Sequence, residues 1–271
     1  MKTVIRLLLC TLPCAAWAAG PSAPLVPLPT VPDFTRGGGW GLALGLGVEY
    51  ENAYDGSDER ELELDPAGAL QWRSGNHLFF WEGYALGWRG LPSPGWLLQT
   101  GLRYEGGLEP DDSEDGRLEG IAERDSHPAA FLEVRRELGD DWRNWAGAFM
   151  LGGESEFGWL GLLAAGHRFG ERQDGMGSEV YAFGSFGNSA FFNKDFGVDA
   201  VDAAASGLRE TDLSGGFRSL GVTWVHRREL GDRLQLVVEA GFEWYSPEIH
   251  DSPIARTDYE FELGLSLLWT F

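Results

Sequence analysis

Residues 39–50 alternate without a slip. Trp40, Leu42, Leu44, Leu46, Val48 and Tyr50 fall on one side of an extended chain, and Gly39, Gly41, Ala43, Gly45, Gly47 and Glu49 on the other. A strand sends successive side chains to opposite faces, so one face here is bulky and apolar and the other small. The same design closes the sequence, where Tyr259, Phe261, Leu263, Leu265, Leu267, Trp269 and Phe271 oppose Glu260, Glu262, Gly264, Ser266, Leu268 and Thr270. Aromatic residues bracket the aliphatic stripe in both segments, as in the girdles of a membrane β-barrel, where Trp and Tyr sit at headgroup depth. Residues 96–104 and 234–244 repeat the period with Gln99, Arg103, Glu239 and Glu243 on the second face. Charges are costly in lipid and tolerated in a wet lumen, so this face is read inward. Glu239, Glu243, Glu260 and Glu262 then become candidate lumen residues that would bias a channel toward cations. The pattern predicts an all-β fold, an antiparallel transmembrane β-barrel. A soluble sandwich or a lipocalin-like barrel is the rival, but it would turn the apolar stripe inward.

Strands are expected near 39–50, 60–73, 77–88, 95–105, 127–138, 141–151, 156–169, 177–187, 213–228, 232–245 and 257–271. That set is odd in number, whereas bacterial single-chain barrels have even strand numbers. Counting back from Phe271 puts tight turns at 230–232, 170–175 and 138–140 on one side and the long segments 188–212 and 106–126 on the other. The alternation of short and long connections behaves back to about residue 95, so the parity error belongs between 50 and 95. Twelve strands are expected, with ten as the alternative.

Ahead of the first strand, residues 1–19 read as a secretory signal: Lys2 and Arg6 precede the apolar run Leu7–Leu12, and Ala16-Trp17-Ala18 offers a small-x-small cleavage site. The Pro- and Gly-rich residues 20–38 read as an extended periplasmic lead-in, followed by a barrel over 39–271. Cleavage would remove Cys10 and Cys14, the only two cysteines, so the exported chain would have no disulfide. It would also remove two basic residues from a chain whose formal charge is already −21. Such a chain has no electrostatic reason to approach a phosphate backbone, which excludes nucleic acid as a partner.

Chemistry is sparse. His77, His127, His167, His226 and His250 are scattered, none forms a close metal-ligand pair, and no Gly-x-Ser-x-Gly elbow occurs. No cofactor, metal or catalytic residue is therefore expected, and the protein is read as a non-enzyme. The acidic run 109–115 lacks the spacing of a calcium loop and reads as solvated, with divalent ions as a conceivable bridge to lipopolysaccharide. Residues 188–212 break the period of two. Val198–Ser206 suits one or two helical turns ended by Gly207, a segment that would cap the barrel mouth or fold into it. Lys194 beside Asp195 reads as a surface charge.

Several short motifs in a fixed order resemble the MipA/OmpV family, the MltA-interacting proteins of Gram-negative outer membranes. They are Tyr54-Asp55-Gly56-Ser57-Asp58, then Gly101-Leu102-Arg103-Tyr104 with Asp111 and Asp112, and Leu118-Glu119-Gly120. Phe196-Gly197-Val198, Ser206-Gly207-Leu208 and Asp251-Ser252-Pro253-Ile254 complete the set. The resemblance implies localisation to the cell outer membrane and contact with its lipid and lipopolysaccharide. It also implies a scaffold role, holding a lytic transglycosylase and a murein synthase together. The terminal aromatic Phe271 resembles the signal read by the barrel-assembly machinery. A small-solute channel and a surface adhesin acting through the outer loops are the alternative functions.

Overall fold

The computed structural model describes residues 38–110, 113, 115–139, 143–169 and 177–271, together with Thr35. The predicted signal segment, the lead-in apart from Thr35 and Gly38, and Asp111 and Asp112 lie outside the described residues. Thirteen strand segments follow in chain order: β1 (Gly39–Asn52), β2 (Arg60–Asp65), β3 (Gly68–Ser74), β4 (His77–Glu82), β5 (Ala85–Gly90), β6 (Trp96–Glu105) and β7 (His127–Glu137). Then come β8 (Asn144–Gly152), β9 (Trp159–Phe169), β10 (Gly177–Asn188), helices α1 (Ser189–Phe196) and α2 (Ala200–Ser206), β11 (Gly215–Glu229), β12 (Leu234–Tyr245), the short α3 (Pro247–His250) and β13 (Tyr259–Thr270). Every strand pairs antiparallel with its neighbour, and β13 returns to β1 in the register Tyr50↔Leu263 through Ala43↔Thr270, closing the sheet on itself.

β2 and β3 lie end to end along one edge of β1, on Gly47–Asn52 and Gly39–Leu44 respectively, so the thirteen segments make a barrel of twelve staves. Pro66 separates them: it has no N–H to donate to a ladder. The expected strand at 77–88 is corrected to a hairpin, β4 and β5 around Gly83–Tyr84. Gly83 has φ +54°, the left-handed region in which a residue without a Cβ meets no penalty. This hairpin supplies the stave that the odd count lacked.

The outside of the wall is apolar. Trp40, Leu44, Leu46, Leu62, Leu163, Leu220 and Leu265 are all exposed. Aromatic residues collect toward the two ends of this belt. Trp40, Trp72 and Phe79 form a tilted row at the end with short turns, with ring centroids 6.4 and 5.5 Å apart. Phe186 against Phe217 and Phe242 against Tyr259 lie toward the other end, where the long loops are. Leaving this much apolar surface uncovered is unfavourable in water and favourable against acyl chains, as in a membrane barrel. Among the described residues no helix is long and apolar enough to cross a membrane. The crossing elements are strands, whose backbone groups are satisfied by the closed ladder.

Candidate functional site

At the loop end, five separate connections meet over the barrel mouth. The first follows β1. Ser57 N donates to Tyr54 O over 2.9 Å and closes a turn on Gly56, whose φ of +80° requires glycine. Ser57 Oγ then accepts from the Glu59 amide at 3.0 Å. The turn aims Asp55 into the barrel and leaves Gly56 O to accept the amides of Arg256 (2.7 Å) and Thr257 (3.1 Å) from the last loop. Tyr54 donates its hydroxyl to Ile254 O at 3.4 Å, and burial pushes its pKa up to about 12, so it stays a neutral donor. Asp58 faces Arg256 at 3.4 Å.

The cap itself is the long segment after β10. Asn188 accepts from Phe191 N at 3.1 Å as the N-cap of α1. Asp199 accepts from Val201 N and Asp202 N at the start of α2, and Gly207 ends α2 in the left-handed region with φ 76°. Helix α1 turns Phe191, Phe192 and Phe196 down into the barrel, where each is at most 5% exposed. They are therefore unavailable as surface anchors. Lys194, expected on the surface, is 12% exposed at its side chain; it pairs with Asp195 and lies 5.5 Å from the Phe157 ring centroid.

Two arginines hold the cap. Arg124, on the loop after β6, donates to Asn193 O at 3.0 Å, to Lys194 O and to Gly197 O at 2.6 Å. It thereby satisfies carbonyls at the end of α1, adding to the Gly197 amide that Asn193 O already accepts. Its Nη2 also reaches Asp202 at 3.4 Å, whose other oxygen accepts the Ala122 amide at 2.8 Å. Arg218 is fully buried on β11. It donates to Glu243 at 2.6 Å and to Asp55 at 2.7 Å, and it lies 5.0 Å from the Tyr245 ring centroid and 5.8 Å from that of Phe196. The β10–β11 register jumps from Ser185↔Ser219 to Phe186↔Phe217, and the bulge turns Arg218 inward.

The remaining motif residues join the same surface. Ser252 Oγ donates to Phe196 O at 2.6 Å, Arg117 donates to Pro253 O, and Val198 bridges to Thr211. Val198, Tyr54, Leu108, Leu118, Ile121 and Ile254 form one buried cluster, against which Leu208 packs. Ser206 Oγ donates to Asp202 O, and Asp251 O accepts from Arg209. Hydrogen bonds from Ser113 and the Arg117 amide hold the exposed Asp115 carboxyl below the usual carboxylate range. Gly120 has φ +85°, and a Cβ there would stand 2.7 Å from the Ala205 carbonyl carbon. Gly120→Val is accordingly expected to lift α2 and destabilise the cap by about 1–3 kcal/mol. Limited proteolysis should then cut within 199–212 faster while the strand signal in circular dichroism stays unchanged.

Below the cap the lumen has two halves. From β4 to β11 it is packed with Phe80, Phe131, Phe149, Leu151, Leu162 and Phe183, all buried. Among and below these runs a ladder of ion pairs: Arg89 with Glu82, Arg135 with Glu133 and Glu179, and Arg168 with Glu137 and Glu179. The other half, on β12, β13, β1 and β2, is acidic. Glu243 and Glu260 are cross-strand partners, Glu262 stands opposite Gly241, and Glu239 opposite Gly264. The four glutamates singled out in the sequence thus share one wall with Glu49, Glu51 and Glu63. The interior is more apolar, and richer in arginine, than glycines and glutamates alone would make it. Phe271 lies at the turn end, its amide donating to Leu42 O.

Among the described residues no cluster of His, Cys, Asp or Glu could hold a metal ion. Comparison with known proteins gives one family, described as MltA-interacting protein MipA, which matches residues 44–271. No curated protein sequence matches the chain. Among solved structures, the Pseudomonas putida toluene transporter TodX is similar at 9% identity, with 90% of each chain covered and a TM-score of 0.41. The Ralstonia pickettii toluene transporter TbuX is similar at 9% identity over 86% of this chain and 89% of that one, with a TM-score of 0.41. A Pseudomonas aeruginosa FadL homologue is similar at 8% identity over 86% and 89%, with a TM-score of 0.39.

Proposed function

The chain belongs to the MltA-interacting protein MipA family over residues 44–271, and from that premise we propose a non-enzymatic scaffold in the outer membrane that holds a peptidoglycan-remodelling enzyme. The observation that carries this reading is the filled interior. The packed aromatic half of the lumen and the inward cap of α1 and α2 leave the barrel without the wide aqueous bore of a diffusion porin. In this reading the turn end, with Phe271, is periplasmic and the loop end external, as short turns within and long loops without require.

The two ends also differ in charge. Among the described residues Arg136, Arg143, Arg228 and Arg233 are exposed at the turn end beside Glu229 and Asp232, while Asp58, Asp199, Glu210 and Asp251 are exposed at the loop end beside Arg209 and Arg256. A specific interface buries on the order of 1,200 Å² or more, so the rim and the lead-in 20–38 would both contribute. The family name points to a lytic transglycosylase; a murein synthase would be the second client. Photo-crosslinkers at Asn76, Gly139 and Gly231 in intact envelopes, read by mass spectrometry, are expected to capture a lytic transglycosylase. Adducts to lipid and the assembly machinery alone would overturn the scaffold reading.

A second reading, a gated cation pathway, is favoured by Glu49, Glu239 and Glu262. They share the lumen wall, and none makes an ion pair with an arginine or lysine among the described residues. It predicts that planar bilayers stay silent until the cap is released and then pass cations over anions.

A further inference from the structure

Among the described residues the wall is not complete at the loop end. β2 bonds to β1 and, among the described residues, to no other strand. The staves that would flank it, β4 and β5, turn back early, and the Gly83 amide bonds to Gly68 O, beyond Pro66 from β2. The wall resumes at the end of β6, where the Tyr104 amide bonds to Tyr84 O at 3.0 Å. Higher still, the Asp115 amide bonds to Glu59 Oε1 at 2.8 Å. Among the described residues, β2, the turn at Gly83–Tyr84, the end of β6 and Asp115 thus frame an opening in the side of the barrel. Fully paired strands would place two more staves there, which sets its width at up to about 14 Å between backbones, three inter-strand spacings.

Its outer frame is apolar: Leu62 is 72% exposed, Leu64 65%, Leu86 55% and Tyr104 51%. Its inner lining is acidic. Glu63 pairs across the ladder with Glu49, and Asp65 follows two residues on, on the same face of β2. All three carboxylates lie within electrostatic reach of Tyr84, and none makes an ion pair with an arginine or lysine among the described residues. The opening therefore calls for an occupant with one polar, cationic end and one apolar end.

We propose that this opening is a lateral binding site for an amphiphilic cation, whose alkyl or aryl tail lies against Leu62, Leu64 and Leu86 and whose ammonium head reaches Glu63, Asp65 and Glu49. The head donates to these carboxylates from the lumen side, while the tail remains in the lipid layer. Binding here is independent of any enzyme docked at the turn end.

The test uses the full chain in maltoside micelles with an octylammonium probe that carries a diazirine in its tail. Adducts are expected to concentrate on residues 62–64 and 84–86 and to be competed by octylammonium, but not by octanol or methylammonium. The double variant Glu63→Gln, Asp65→Asn should label at least tenfold less at these positions while keeping its heat-modifiable mobility. Should that variant fail to fold, Tyr84→Lys, which places an ammonium group at the turn, should abolish the same labelling. Even labelling around the apolar belt, competition by octanol, or a folded variant that labels like the unmodified chain would each overturn the proposal.

Discussion

Replacing Arg218 by alanine is expected to cost about 3–5 kcal/mol of unfolding free energy and to release the cap, because it strands Asp55 and Glu243 as buried carboxylates without their cation. The guanidinium is completely enclosed and contacts a loop turn, a neighbouring strand and, through the Phe196 ring, helix α1. Its loss should therefore be felt in the mouth before the belt. Urea unfolding of vesicle-embedded protein, followed by tryptophan fluorescence, gives the magnitude. External protease should cut within 189–214, which the intact cap protects. Substituting all three groups at once, Arg218→Met with Asp55→Asn and Glu243→Gln, should recover most of the stability, since no unpaired charge is left. An Arg218→Ala protein with an unchanged urea midpoint and an uncut cap would show that these contacts do not hold the mouth.

Leu265→Arg should destabilise by about 2–4 kcal/mol, the cost of a cation near the middle of the lipid-facing belt. Leu265 lies between Val48 and Val238 on the outer face, 46% exposed. Three residues away on the same strand, Glu262 faces the lumen beside other carboxylates, and Glu262→Arg should cost much less or stabilise. The pair measures the facing of β13 directly. Equal penalties at the two positions would contradict an outside in contact with lipid and a polar inside.

Much of the architecture was legible because a strand's period of two is a local property. In 39–50 and 259–271 the large residues keep one phase from end to end, and those faces are the ones left outside. The hairpin at 83–84 escaped because apolar residues continue through it. Its trace was a phase slip: Leu78, Phe80 and Glu82 face inward, then Ala85, Gly87 and Arg89 do. Arg218 carried a similar mark, a charged residue between Phe217 outside and Ser219 inside, at the bulge. Neither slip alone says whether a chain turns back or only bulges, since that depends on which strand lies alongside.

The candidate site was less legible. The motif residues could be read as short strings, but nothing local shows that Gly56 meets Phe196 and Ala255, that Ser252 meets the end of α1, or that Arg124 closes α1 from a loop some seventy residues earlier. By itself the sequence determined the strand period, the lipid-facing side and the helix end at Gly207, all of which rest on interactions within a few residues. Only the tertiary structure decided that the long loop folds inward, that Arg218 joins Asp55 to Glu243, and that β2 is left with one open edge. Those outcomes depend on ring closure of the barrel, which brings residues from opposite ends of the chain into register and leaves room for two shortened staves between β2 and β6.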